Sequence, residues 1–470
     1  MAEPLWTSAE IVAATGGQAT GGAFSATGVS IDTRTLVAGD LFVALPGVRD
    51  GHEFFAQAMV KGAAGALVAQ PVDAPAVRVP DVLKALEQLG VAARDRAPDA
   101  RRCAVTGSVG KTSVTQAIAA ALKLAGPSHN SVLSYNNHIG VPLTLARMPR
   151  ETKRAVFEIG MNHADEIRSL VKLVRPHVAV VTTVGAAHTE NFPDGEAGVA
   201  RAKAEIFEGL EPNGVAILNA DNEWFDLLQA AAEAHGAKVL SFGRAADCDG
   251  RLIEMLTEAS GAVIVAQTHG RTLRFPIAQS GAHWGLNSLA TLLAAEALGA
   301  PIEIALEALA DFAPLAGRGE THPLAIDGAP ITLIDESYNA NPISMRAALA
   351  ALGDAKPAGR KIAVLTDMLE LGADAPAVHA ALAEPIAAAG VDLVFLAGPD
   401  MRALWDILPA ARRGAWRETA AQLASAVLDA LAPGDVVMAK GSKGSKASLV
   451  VQALLEAALN SKTAAAGKTR

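Results

Sequence analysis

Seven residues, Thr106-Gly-Ser-Val-Gly-Lys-Thr112, constrain the fold more than any others in this chain. They stand between a short apolar run, Cys103-Ala-Val105, and an apolar-periodic stretch from Thr112 to about Leu124. That context predicts a strand, a tight glycine turn and a helix in succession. Glycines in such a turn let backbone N–H groups converge on an anion, and the helix N-terminus adds its dipole. On this geometry Gly107, Ser108, Val109 and Gly110 cradle the phosphates of ATP, Lys111 neutralises the terminal ones, and the Thr112 hydroxyl ligates Mg²⁺. The customary first glycine of such a loop is replaced by Val105, so the loop is a shortened form.

The rest of the chain repeats the same alternation. Apolar runs at 155–159, 178–184 and 214–218 are separated by helical stretches, which indicates a mostly parallel sheet buried on both faces. The segment 238–276 reads instead as hairpin-like strands, and a helix from about Asn287 to Leu298 closes this part. Before it, residues 1–97 carry short strands at 40–45 and 66–69 and a helix from about Asp81. The charged run Arg94 to Arg102 reads as a linker. A Pro/Gly-rich passage, 313–322, marks a second boundary, after which strands at 331–334, 361–365, 393–396 and 436–438 alternate with helices. The expectation is three α/β domains. A small N-terminal one (1–97) precedes a central phosphate-loop domain with a mostly parallel sheet (98–313), and a C-terminal Rossmann-like one (314–470) follows. The small, polar tail from Ser461 is expected to be disordered.

Composition narrows the class. Apolar residues make up 51% of the 470 residues but only 4% are aromatic, so the apolar content reflects alanine-rich helices, and no run is long enough to span a bilayer. MAEPLWTSAE lacks the basic and apolar segments of a secretory signal. Cys103 and Cys248 match no metal-ligand spacing and read as reduced thiols of a cytoplasmic protein. A net charge of −9 argues against nucleic-acid binding but leaves room for a basic cleft that takes an anionic small molecule. Glu158, within a strand run that ends at Gly160, and His188, following another, are candidate Mg²⁺ ligands beside the phosphate loop.

These motifs resemble those of the Mur ligases, ATP-dependent amide ligases of bacterial cell-wall precursor synthesis, over essentially the whole chain. The resemblance rests on Asp32-Thr-Arg34, Gly39 to Leu45 and Asp50-Gly-His52 in the first part, and on Thr106 to Thr112, Tyr135 to Pro142, Glu158 to Asn162, Gly185 to His188 and Lys203 to Phe207 in the second. In the third it rests on Gly317-Arg-Gly319 and Asp335-Glu-Ser-Tyr-Asn-Ala-Asn-Pro342. That last run, followed by Ser344, is similar to the branch that joins D-alanyl-D-alanine to UDP-N-acetylmuramoyl-tripeptide.

The resemblance implies that Ser30, Thr33 and Arg34 contact the uridine end of the substrate, and that Asn136, Asn137, Asn339 and Asn341 serve the substrates or closure. It implies that Thr112, Glu158, His188 and a carbamylated Lys203 hold two Mg²⁺ ions. Without it, Lys203 is a lysine on the solvated face of an amphipathic helix. It further implies that Asn287 contacts adenine, Arg318 the terminal phosphate and Asp335 the ribose, with Lys111, Lys203, His188 and Arg318 the catalytic set and the chain acting as a monomer. Three positions depart from the family pattern: Thr366 replaces a glycine, Ala164 replaces another, and Lys440 to Lys446 lacks the usual Met and Glu beyond it. The rival readings are another Mur ligase or a folylpolyglutamate synthetase-like enzyme that adds a single amino acid, and a phosphate-loop switch without ligase activity.

Overall fold

The strand Arg101–Thr106 lies inside a nine-stranded sheet, and its neighbours on either side decide what surrounds the glycine loop. In the computed structural model, which describes residues 4–132, 134–258, 261–279 and 281–468, this strand pairs in parallel with Arg154–Glu158 on one side and Val178–Val181 on the other. All three are buried, as their near-continuous Val, Ala and Phe content requires of a sheet covered on both faces. Ser128–Asn130 extends one edge in parallel; Val215–Asn219, Lys238–Gly243 and Gly250–Glu258 extend the other. Gly261–Thr268 and Arg271–Ile277 then fold back antiparallel, so the hairpin-like expectation for 238–276 holds from Gly250 on, whereas Lys238–Gly243 continues the parallel sheet. One face packs against helices Lys111–Leu124, His283–Ala297 and Ile302–Asp311, the other against Gly140–Ala146, Glu166–Val174 and Phe225–Ala234.

A five-stranded sheet precedes it, parallel except for Gln18–Thr20 at its edge. A six-stranded sheet follows, parallel except for Glu320–Ile326. That edge strand was not foreseen, because Pro323 and its polar neighbours erase the apolar alternation; proline is tolerated there because an edge has unpaired N–H positions.

Two expectations are corrected. The charged run 94–102 is no solvated linker. Helix Val82–Asp95 continues through Arg94, the central strand begins at Arg101, and Arg94 and Arg102 are buried. Arg94 Nη1 donates to the carbonyls of Lys172 and Leu173, the end of helix Glu166–Val174, where a cation also suits the helix dipole. Arg96 lies over the Trp6 ring and donates to Leu5 O and Met148 O. The second correction concerns the tail. The last helix, Ser448–Lys468, runs past Ser461, as alanine's helix propensity favours, and Ser461 Oγ accepts from the Asp327 N–H; residues 469–470 lie outside the described set. Among the described residues no helix is long and apolar enough to cross a membrane.

Candidate active site

Strand register assembles the site. Glu158 stands opposite Val105, and Val181 opposite Thr106, so the ends of three adjacent strands deliver Glu158, the glycine loop and Thr182 to one sheet edge. Gly107 has φ +149°, and a Cβ there would collide with Thr182 Oγ1, so the shortened loop closes only with glycine. Thr182 Oγ1 in turn donates to the Val109 carbonyl. Gly110, at φ +84°, precedes helix Lys111–Leu124, whose first N–H groups face the loop. Lys111 Nζ donates to Gly107 O at 2.6 Å. Its pKa lies below the ordinary lysine value, chiefly through burial and with Arg318 adding to the effect, while Glu158 opposes it.

A cavity of about 630 Å³ opens over this edge. It is lined by Ser108 to Thr112, Asn136, Glu158, His188 and Asn287 from the central sheet, and by Arg318, Asn339 and Asn341 from the third. Glu158 is 1% exposed; Oε1 accepts from Asn136 Nδ2 at 2.6 Å, whereas Oε2 has no hydrogen-bond partner among the described residues. Such a buried oxygen, in a cavity that Thr112 and His188 also line, suits a hard divalent cation.

Lys203 corrects the solvated-face expectation: on helix Glu196–Ala204 it is 2% exposed. Burial, and secondarily the charge of Lys111, hold its pKa well below the ordinary lysine value. A neutral amine of this kind is the form that adds CO₂. Helical periodicity could not reveal this, because the same pattern serves a surface lysine.

The third sheet reaches over the loop through polar groups. Arg318 lies on the Tyr338 ring, 4.1 Å from its centroid, and its Nη2 donates to Thr112 Oγ1 at 2.9 Å. Asn341 caps helix Pro342–Asp354, accepting from Ser344 N, and its Nδ2 donates to Ser108 O at 3.4 Å. Tyr338 Oη is hydrogen-bonded to Ser134 Oγ. Asn339 is held by Lys440 Nζ on its carbonyl, and Lys440 also pairs with Glu336 at 3.1 Å. Neither Glu336 nor Lys440 was singled out from sequence, although both belong to runs that were. Thr182, Thr183 and Asn219 also line the cavity; polar residues closing apolar strands were their only signal.

Other expected residues lie elsewhere. Asn137 accepts from the N–H groups of Ile139 and Gly140 and so starts a helix rather than lining the cavity. Asp335 is buried outside the cavity lining and accepts from Ser337 N. Ser30 ends the first-sheet strand Gly28–Ser30, Thr33 and Arg34 lie in the turn after it, and none of the three is in the cavity lining. Thr33 Oγ1 donates to Gln57, and Arg34 pairs with Asp32 while its side chain stays 87% exposed. The departure at Thr366 has a physical partner: its Oγ1 is 2.6 Å from Ser445 Oγ, and a Cβ at Gly441 would collide with it, so threonine here requires glycine there. Nothing in the structure explains Ala164.

Fold and site together define an α/β protein with three large sheets, in which the phosphate loop of the central one faces an asparagine turn carried by the third. The chain belongs to the Mur ligase family. Residues 105–295 match the Mur ligase middle domain, and 317–443 the Mur ligase glutamate ligase domain. A relative from Escherichia coli (strain K12), named UDP-N-acetylmuramoyl-tripeptide–D-alanyl-D-alanine ligase, is 39% identical, covering 80% of this chain and 82% of its own. One of the same name from Rickettsia prowazekii is 32% identical over 90% and 94% of the two chains. Among solved structures, MurF from Acinetobacter baumannii superposes with a TM-score of 0.84 at 28% identity, covering 97% of this chain and 99% of that one.

Proposed function

We infer that the chain is an ATP-dependent amide ligase that joins D-alanyl-D-alanine to UDP-N-acetylmuramoyl-tripeptide, in the cytoplasm and as a monomer. The observation that carries this reading is the cavity in which the phosphate loop and the Asn339-Ala340-Asn341 turn face each other, in a chain whose named relatives catalyse that ligation. The tripeptide carboxylate attacks the γ-phosphate of ATP, which gives an acyl phosphate and ADP. The dipeptide amine then attacks the acyl carbon, and inorganic phosphate leaves.

The residues supply position and charge. Loop N–H groups and Lys111 hold the β- and γ-phosphates, and Arg318, fixed against Tyr338, offsets charge on the transferred group. Asn287, against Gly110, suits adenine, and Asp335 suits the ribose. Thr112, Glu158, His188 and a carbamylated Lys203 are the residues to hold Mg²⁺. When bound, Mg²⁺ offsets the negative charge of the phosphates and the attacking carboxylate. Carbamylation joins the neutral Lys203 amine to CO₂ with release of one proton, which turns a buried base into an anionic oxygen ligand. Ser30, Thr33 and Arg34 suit the uridine end, and Asn136, Asn137, Asn339 and Asn341 the peptide ends or closure.

The deciding experiment follows phosphate release with ATP, UDP-N-acetylmuramoyl-tripeptide and D-alanyl-D-alanine, omitting each in turn. Release should need all three. Turnover with a single amino acid but none with the dipeptide would move the chain to another branch. Release from ATP alone would make it a nucleotide switch.

A further inference from the structure

One polar contact between the central and third sheets lies beside the candidate metal ligands. His188 Nδ1 is paired with a carboxylate oxygen of Glu370. His188 follows the central strand Val178–Val181, and Glu370 follows the third-sheet strand Lys361–Thr366. Both residues line the cavity. Both also hold left-handed backbone, at φ +58° and +64°, which is uncommon for residues with a side chain and is kept where surrounding structure imposes it. The short turns that follow them, Thr189–Asn191 and Gly372–Asp374, pack on each other, and a Cβ on Gly372 would stand 3.3 Å from Glu190 Cβ. Two strained turns therefore fix one side-chain pair.

A carboxylate can only accept a hydrogen bond, so one placed against Nδ1 favours the tautomer whose proton sits on that nitrogen. That tautomer leaves the Nε2 lone pair free for a metal ion. Histidines that bind metals are commonly oriented by such an outer carboxylate, which also makes the ligand more basic. We propose that Glu370 is a positioning residue that presents His188 Nε2 to the divalent cation, so that docking of the 366–372 loop completes the metal site. The proposal rests on the reading of His188 as a metal ligand.

Manganese binding in the presence of ADP, followed by electron paramagnetic resonance, tests it in the full chain without turnover. Glu370→Ala should weaken Mn²⁺ binding by about 10- to 100-fold. Glu370→Gln, whose carbonyl still accepts from Nδ1–H, should recover part of the loss. His188→Ala should lose at least as much as Glu370→Ala, and the double variant should bind no more weakly than His188→Ala alone. Wild-type Mn²⁺ affinity in Glu370→Ala, or losses that add in the double variant, would overturn the positioning role and leave His188 as a ligand. Wild-type affinity in His188→Ala would remove the metal reading of His188 itself, and this proposal with it.

Discussion

At the scale of single residues, Lys203 separates stability from function most sharply. A buried amine is carried at a cost, because the unfolded chain would protonate it freely. Lys203→Met, close in size and uncharged, should therefore abolish ligation while raising the melting temperature, roughly 2–4 °C for each kcal/mol regained. The sign with pH follows from its lowered pKa. The folded chain binds fewer protons here than the unfolded one, so the wild-type deficit is absent above the unfolded lysine value and grows as pH falls toward the folded value. In CO₂-free buffer the gain from Lys203→Met should accordingly be larger at pH 7 than at pH 9.5, by calorimetry. A variant no more stable than wild type at either pH would contradict the burial argument. Lys203 also marks the limit of what sequence alone discloses. The glycine loop announces itself through local chemistry, since Gly-Lys-Thr after a strand has few other uses. The burial of a helical lysine depends on which face the helix turns inward, and residues distant in the chain decide that.

At the scale of elements, a single side chain can serve both a helix and the cavity. Asn341 caps helix Pro342–Asp354 through Oδ1 and reaches Ser108 through Nδ2. Asn341→Ala should lose both, with about 1 kcal/mol of stability. Asn341→Asp keeps a competent cap but no donor, so it should melt like wild type while phosphate release falls. Equal melting losses in the two variants would show that the cap is not what Oδ1 contributes. Elements with clear apolar patterning were legible in the sequence, as at the start of helix Val82–Asp95 and along strand Lys361–Thr366. Glu320–Ile326 was not, because an edge strand carrying Pro323 needs no apolar face. The pairing of Thr366 with Gly441 was equally hidden: each position is ordinary alone, and only the sheet brings them together.

Across the whole molecule, the connection of the first sheet to the central one differs from that of the third. Arg94 and Arg96 reach from the first helix region into backbone carbonyls at 172–173 and 148, under cover. The run they belong to looked like a linker because charge density usually means solvent, yet guanidinium groups can be buried when enough carbonyls receive them. Arg94→Met would leave those carbonyls unpaired and should cost about 1–3 kcal/mol in denaturant unfolding. An unchanged midpoint would show that water replaces the arginine without penalty. The third sheet meets the centre through Arg318, Tyr338, Asn341 and Glu370, whose contacts there are polar and lie around the cavity.

The strand register that aligns Glu158, the glycine loop and Thr182 gathers most of the phosphate-holding groups on one sheet, while Arg318 and the asparagine turn come from another. Work can thus be divided between them during descent. A lineage could exchange the loops at 335–344 and so accept a different amine, while the ladder that sets phosphoryl geometry went unaltered. Ligases with unlike acceptors could share one engine for that reason, and grafting those loops between relatives is the natural way to redirect this one.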